Sequence, residues 1–123
     1  MNYLSTNVLK GFQEIMSLDS EIKSIEMHEG NSNMQDDQNK VELILDENNS
    51  VFINKYELII RTQIWALNHG YVLTYDLDLF NPLTFSFIVS EDSELSFVSS
   101  YSEALVSLVS AIEYICGEVY EWK

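Results

Sequence analysis

"YVLTYDLDLFNPLTFSFIVSEDSELSFVSS", residues 71–100, decides how this chain folds. It breaks into three runs, YVLTYDLDL (71–79), LTFSFIVS (83–90) and LSFVSS (95–100), rich in the apolar, β-branched and aromatic residues that strands favour. Asn81-Pro82 interrupts the first junction and EDSE the second, as connections between antiparallel strands do. Within the first run, TYDLDLF (74–80) alternates: Tyr75, Leu77 and Leu79 share one face, Thr74, Asp76 and Asp78 the other. Aspartate is a poor strand residue. Two of them nevertheless share a face here, roughly 6–7 Å apart at the usual strand rise.

Downstream, Ser100 and Glu103 have capping-box spacing and predict the start of a last helix. Leu105, Leu108, Ile112, Ile115 and Val119 then form its apolar stripe, with Ser107, Ser110, Glu113, Gly117 and Glu121 opposite. Upstream, Asn54 and Glu57 form another capping pair, Ile53 and Leu58 a staple, and Gly70 a terminator, predicting a helix over 55–68. Before it, KVELILD alternates, with Val41, Leu43 and Leu45 inward and Glu42 and Asp46 outward; ENNS and a short VFI strand follow. Residues 3–18 carry Leu4, Val8, Phe12 and Ile15 at helical spacing, and 21–28 suit a first strand. Residues 29–39, polar and without periodicity, are expected to form a flexible loop. The expected fold is α+β: one domain over 1–123, an antiparallel sheet of about four to six strands, and three helices on it.

The chain's 123 residues and 46% hydrophobic content suit a packed core. Its formal charge is −14, and the distribution is lopsided. The first 61 residues hold eleven carboxylates and five basic residues, so they net −6. From 62 onward nine carboxylates face a single cation, Lys123. Nucleic acid and anionic membranes would be repelled by such a surface, whereas a basic protein would be attracted. The lone Cys116 excludes an internal disulfide and fits a reducing compartment. The N-terminus shows no basic region followed by an apolar core, and no apolar run approaches the length of a membrane span. The cytoplasm is the expected location, that of a host cell if the chain is phage-encoded.

From residue 55 to 116 the order is helix, Gly-aromatic turn, three strands, then a helix opening on SEAL. His69-Gly70-Tyr71 and Ser102-Glu103-Ala104-Leu105 carry the likeness. This resembles the small phage proteins of the ABA-sandwich type, in which a helix ends in a DGW-like turn and the last helix opens on a PEAI-like start. The resemblance implies a phage origin and carries over fold determinants only, with no catalytic residue. In class, length and charge the chain also resembles small acidic type III secretion chaperones.

Chemistry finds few candidates. Asp76-Leu77-Asp78 matches the DxD of metal-dependent glycosyltransferases, but those need a far larger nucleotide-binding fold. The same pair as acid and base for sugar hydrolysis needs an enclosed cleft. His28, His69 and Cys116 offer no zinc spacing; His69 suits a helix end and Cys116 the core stripe. Asn31 to Glu42 lacks the glycine of a calcium loop, and the four glycines form no phosphate cradle. No enzyme activity, metal or cofactor is expected.

Surface charge is what remains. Asp76 and Asp78 on one strand face, and Glu91, Asp92 and Glu94 at the SEDSEL turn, are the expected partner-binding residues. Glu42 and Asp46 join them if the sheet keeps one open face. Carboxylates held on a rigid sheet coarsely imitate the charges of a nucleic-acid strand. A basic channel built for phosphate would bind them. The plainer reading is that these are solubilising outward positions. Tyr114, Tyr120 and Trp122, beside Glu118 and Glu121, either close the core or form a protein interface, a homodimer contact included. The leading expectation is an acidic inhibitor of a nucleic-acid-processing enzyme, of the anti-CRISPR or anti-restriction type. The alternatives are an immunity protein neutralising a basic nuclease toxin, and an acidic secretion chaperone or adaptor.

Overall fold

Local signals at the chain's turns set the order of its elements. The computed structural model describes residues 6–28, 40–77, 85–101 and 104–120. Among these, α1 (Thr6–Met16) precedes β1 (Ser24–His28), β2 (Lys40–Ile44) and β3 (Ser50–Asn54). Then come α2 (Lys55–Asn68), β4 (Val72–Leu77), β5 (Phe85–Glu91), β6 (Glu94–Tyr101) and α3 (Ala104–Tyr120). The class is α+β, with three helices and six strands, all paired antiparallel. The strands are divided between two sheets, β1-β2-β3 and β4-β5-β6, where the sequence suggests one. The chain clusters into two compact units, Met1–Arg61 and Thr62–Lys123, each containing one sheet.

In the first unit, Ile25 pairs with Leu43 and Leu43 with Val51, while Val41 pairs with Ile53. These alternate residues bury Ile25, Val41, Leu43 and Ile53, and α1 buries Val8, Phe12 and Ile15. The helix ends because Ser17 turns left-handed (φ 54°). The Leu18 N–H then donates to the Gln13 carbonyl at 3.1 Å and the Ser17 N–H to Glu14 at 3.1 Å, a Schellman pattern without its glycine.

At α2 the expected signals operate as read. Asn54 Oδ1 accepts from the Glu57 N–H at 2.8 Å, satisfying one orphan donor of the first turn. Ile53 and Leu58 are both buried at staple positions. At the other end Gly70 takes φ 87°, and the Tyr71 N–H reaches the Ala66 carbonyl at 2.9 Å. The expected loop over 29–39 lies outside the described residues.

In the second unit, β5 is the central strand and α3 packs against β5 and β6. Leu73, Phe87 and Val89 are buried on the covered face, and Phe97 stacks on Tyr114 of α3 at 4.7 Å. Two expectations about α3 are corrected. Ser100 is no helix cap: it belongs to β6, pairs with Ser86, and its Oγ lies 2.6 Å from Ser86 Oγ. Ser107, placed on the polar side by periodicity, is fully buried, as are Leu105, Leu108, Ala111, Ile112, Ile115 and Cys116. A helix so apolar on most sides is buried on more than one of them.

Candidate functional site

The alternation that buries Leu73, Phe87 and Val89 turns the intervening residues of β4, β5 and β6 to the other face. Register aligns them in rows. Thr74, Ile88 and Val98 form one, and Val72, Ser90 and Leu95 the next. Among the described residues no helix covers these positions: Val72 is 51% exposed, Val98 47% and Leu95 67%, with Ile88 partly exposed between them. Ser86, Ser90, Ser100 and Thr74 fill the gaps. The open face of the second sheet is therefore apolar and hydroxyl-lined, and no Lys or Arg occurs in its three strands.

Leu95 owes its place to a bulge. From Phe85 to Val89 each residue pairs in step with β6, ending with Val89 opposite Phe97. Ser90 then pairs with Leu95, which leaves Ser96 as an extra residue. Without that residue's offset, Leu95 would share the covered face with Phe97 and Ser99. A one-residue slip moves a side chain to the opposite face. Here it sends a leucine into solvent.

The hairpin beyond the bulge is acidic. Asp92 and Ser93 take φ 53° and 67°, the left-handed pair of a two-residue turn. That turn sets Glu91 directly opposite Glu94, with Asp92 between. All three are exposed, and no side-chain hydrogen bond or ion pair engages Asp92 or Glu94 among the described residues. Like charges placed opposite each other in a ladder are unfavourable. Glu91 also acts on Tyr71. Burial first, then the charges of Glu91 and Glu118, push that phenol above its usual value of 10.0.

Three of the other expected partner-binding residues, Asp76, Glu42 and Asp46, are described, and none belongs to this hairpin turn. Asp76 pairs with Ser86 on β4, four residues along from the Val72–Ser90 row, or roughly 13 Å at the usual rise. Asp78 lies outside the described residues. Glu42 belongs to the first sheet, between Glu26 and Phe52, with Lys40 Nζ 4.8 Å from the Phe52 ring. Asp46 has structural work: its carboxylate accepts from the Asn48 N–H at 2.8 Å and from Asn49 Nδ2 at 3.0 and 2.9 Å. Those bonds, the Asn49 side chain first, hold its pKa below the usual 3.8.

Cys116 is buried, and His69 meets the Trp65 ring edge-on at 5.2 Å. No group of three His, Cys, Asp or Glu among the described residues is placed to hold a metal. A cleft of about 310 Å³ beside Lys10 and Lys23 has one carboxylate, Glu21, which pairs with Lys23 at 3.3 Å. Among the described residues, no helix is long and apolar enough to cross a membrane.

Sequence reading missed a second surface feature. Tyr56, Ile60, Ile64 and Leu67 are each more than half exposed along α2, opposite the buried Leu58, Ile59, Thr62, Trp65 and Ala66. Their spacing of 4, 4 and 3 was the available signal. No family model, curated protein or solved structure matches the chain.

Proposed function

We propose that this chain is a small acidic inhibitory binding protein, phage-encoded, that blocks the basic nucleic-acid channel of a host defence enzyme in the anti-CRISPR or anti-restriction manner. The observation that carries the reading is the hairpin tip. It sets Glu91 against Glu94 with Asp92 between, in a half of the chain whose nine carboxylates have one cation among them. Such a tip costs stability and gains nothing inside the fold. A lysine- and arginine-lined channel would neutralise it, and the long-range field would speed encounter.

The test begins with a tagged full-length chain captured from host lysate at low and high salt, with bound proteins identified by mass spectrometry. The recovered enzyme is then assayed for nucleic-acid binding with the wild type and with Glu91→Lys/Asp92→Lys/Glu94→Lys. Triple reversal is expected to weaken inhibition about tenfold or more, chiefly by slowing association. Inhibition unchanged by the reversal would sink the charge-based mechanism. The α2 stripe favours a second reading, an acidic secretion chaperone or adaptor. Under that reading Ile60→Lys/Ile64→Lys abolishes capture while the acidic triple leaves it intact.

A further inference from the structure

The open face of β4-β5-β6 combines two features that each sheet position alone would not need. Its centre is apolar, with Val72, Ile88, Leu95 and Val98 in adjoining rows of the ladder. One end is the turn carrying Glu91, Asp92 and Glu94. Leu95 sits where the two meet, turned outward by the bulge at Ser96 although its parity with Phe97 would place it on the covered face. Exposing a leucine forfeits stabilisation that the covered face was positioned to supply. Bulges commonly re-aim a side chain in this way beside functional sites.

We infer that this face is a docking surface for a protein segment whose apolar residues are flanked by lysine or arginine. The assignment rests on the acidic-binding reading and adds that contact is made by the apolar rows as well as by the charged tip. Charge selects the occupant. A second copy would bring an identical Glu91-Asp92-Glu94 tip and the same unbalanced carboxylates against its own kind, and like-charge juxtaposition disfavours that pairing. A nucleic-acid strand is repelled for the same reason. A basic segment with alternating leucines or valines satisfies both parts: its cations neutralise the tip and its apolar side chains cover Leu95 and Val98. Fully buried anchors surrounded by charges are the usual anatomy of a protein interface. A short peptide on this face covers well under the ~800 Å² per partner of a standard interface, so micromolar binding is expected from it.

The test uses the full chain, ¹⁵N-labelled, titrated with a short alternating leucine–lysine peptide and with an oligolysine of equal charge. The leucine–lysine peptide is expected to shift the amides of Val72, Thr74, Ile88, Leu95 and Val98. It should bind about tenfold or more tightly than oligolysine, the ratio expected when one leucine-sized group is buried. Leu95→Ser/Val98→Ser should remove that preference and leave the weaker oligolysine binding; if the double variant unfolds, Leu95→Ser alone carries the comparison. Equal binding of the two peptides, with shifts confined to residues 91–94, would overturn the apolar docking face and leave the acidic-inhibitor reading standing. Shifts confined to Tyr56, Ile60, Ile64 and Leu67 would overturn the assignment in favour of α2. Dimerisation of the free chain, abolished by Leu95→Ser/Val98→Ser, would overturn it in favour of a second copy.

Discussion

Two antiparallel sheets of three strands each present different faces to solvent. On the first, the outer rows mix signs and types: Glu26, Glu42 and Phe52 lie side by side, and Lys40 covers the Phe52 ring at 4.8 Å. On the second, the outer rows hold Val72, Thr74, Ile88, Val98 and serines, with no cation in the three strands. Their turns differ in the same way. Asp46 spends its charge on Asn48 and Asn49, whereas Asp92 sits between two facing glutamates without such donors. The same architecture therefore carries a self-satisfied surface in one unit and an unsatisfied one in the other. On the proposed reading, acidity alone does not mark the binding face; unsatisfied carboxylates beside exposed apolar rows do.

The largest effect should come from the cores beneath the two faces. Leu43 and Phe87 are fully buried, each on the middle strand of its sheet. Leu43→Ala is expected to cost about 2–5 kcal/mol and Phe87→Ala about 3–5 kcal/mol, measured by urea denaturation. Amide exchange then sharpens the comparison. Each truncation should lower protection chiefly in its own sheet if the two units open separately. Equal loss in both sheets from either variant would show one cooperative unit instead.

A smaller effect, of opposite sign, is expected at Ser99. Its hydroxyl is buried on the covered face of the second sheet, opposite Phe87, with no hydrogen-bond partner among the described residues. An unmade hydrogen bond at a buried group costs on the order of 1 kcal/mol or more. Ser99→Ala should raise the unfolding free energy by about that much, read as a higher urea midpoint. A lower midpoint would mean that a bound water satisfies the hydroxyl.

What the sequence disclosed follows from where its physics is local. The α2 boundaries rest on Asn54 and Gly70, whose side-chain and backbone preferences act within a few residues, and both operate as read. The strands around Leu43 and Phe87 follow from alternation, which reports burial directly. Nonlocal features were hidden. Division into two sheets depends on pairing choices that no single strand encodes. Ser17 ends α1 in a left-handed conformation that glycine would have advertised. Ser100 resembles a cap until its partner across the sheet, Ser86, is known. The bulge at Ser96 leaves no mark in LSFVSS, whose simple alternation would put Leu95 on the covered face with Phe97. Of the candidate site, the hairpin acids were legible because they are contiguous; the apolar rows between them and Asp76 were not.

The smallest effects lie in the turns, and they divide the two sheets most directly. Ser93 holds φ 67°, a conformation in which a side chain is strained and glycine is not. Ser93→Gly should therefore stabilise the second sheet by up to about 1 kcal/mol, which would show that the acidic tip is not built for stability. Asp46 should behave in the opposite way. Its folded pKa lies below 3.8 because Asn49 and Asn48 donate to it. The turn's contribution is therefore fully present above the unfolded value and lost as pH falls through the folded one. Asp46→Ala should lower the midpoint at neutral pH and converge with wild type in acid, because protonation removes in the parent what the substitution has already removed. Asp92→Asn has no such bonds to lose, keeps a residue that tolerates φ 53°, and removes the repulsion of Asp92 with the flanking Glu91 and Glu94. It should leave the neutral-pH midpoint unchanged or higher. If Asp92→Asn instead destabilised the chain as Asp46→Ala does, the hairpin carboxylates would be structural. The contrast between the two sheets would then fail at its most exposed point.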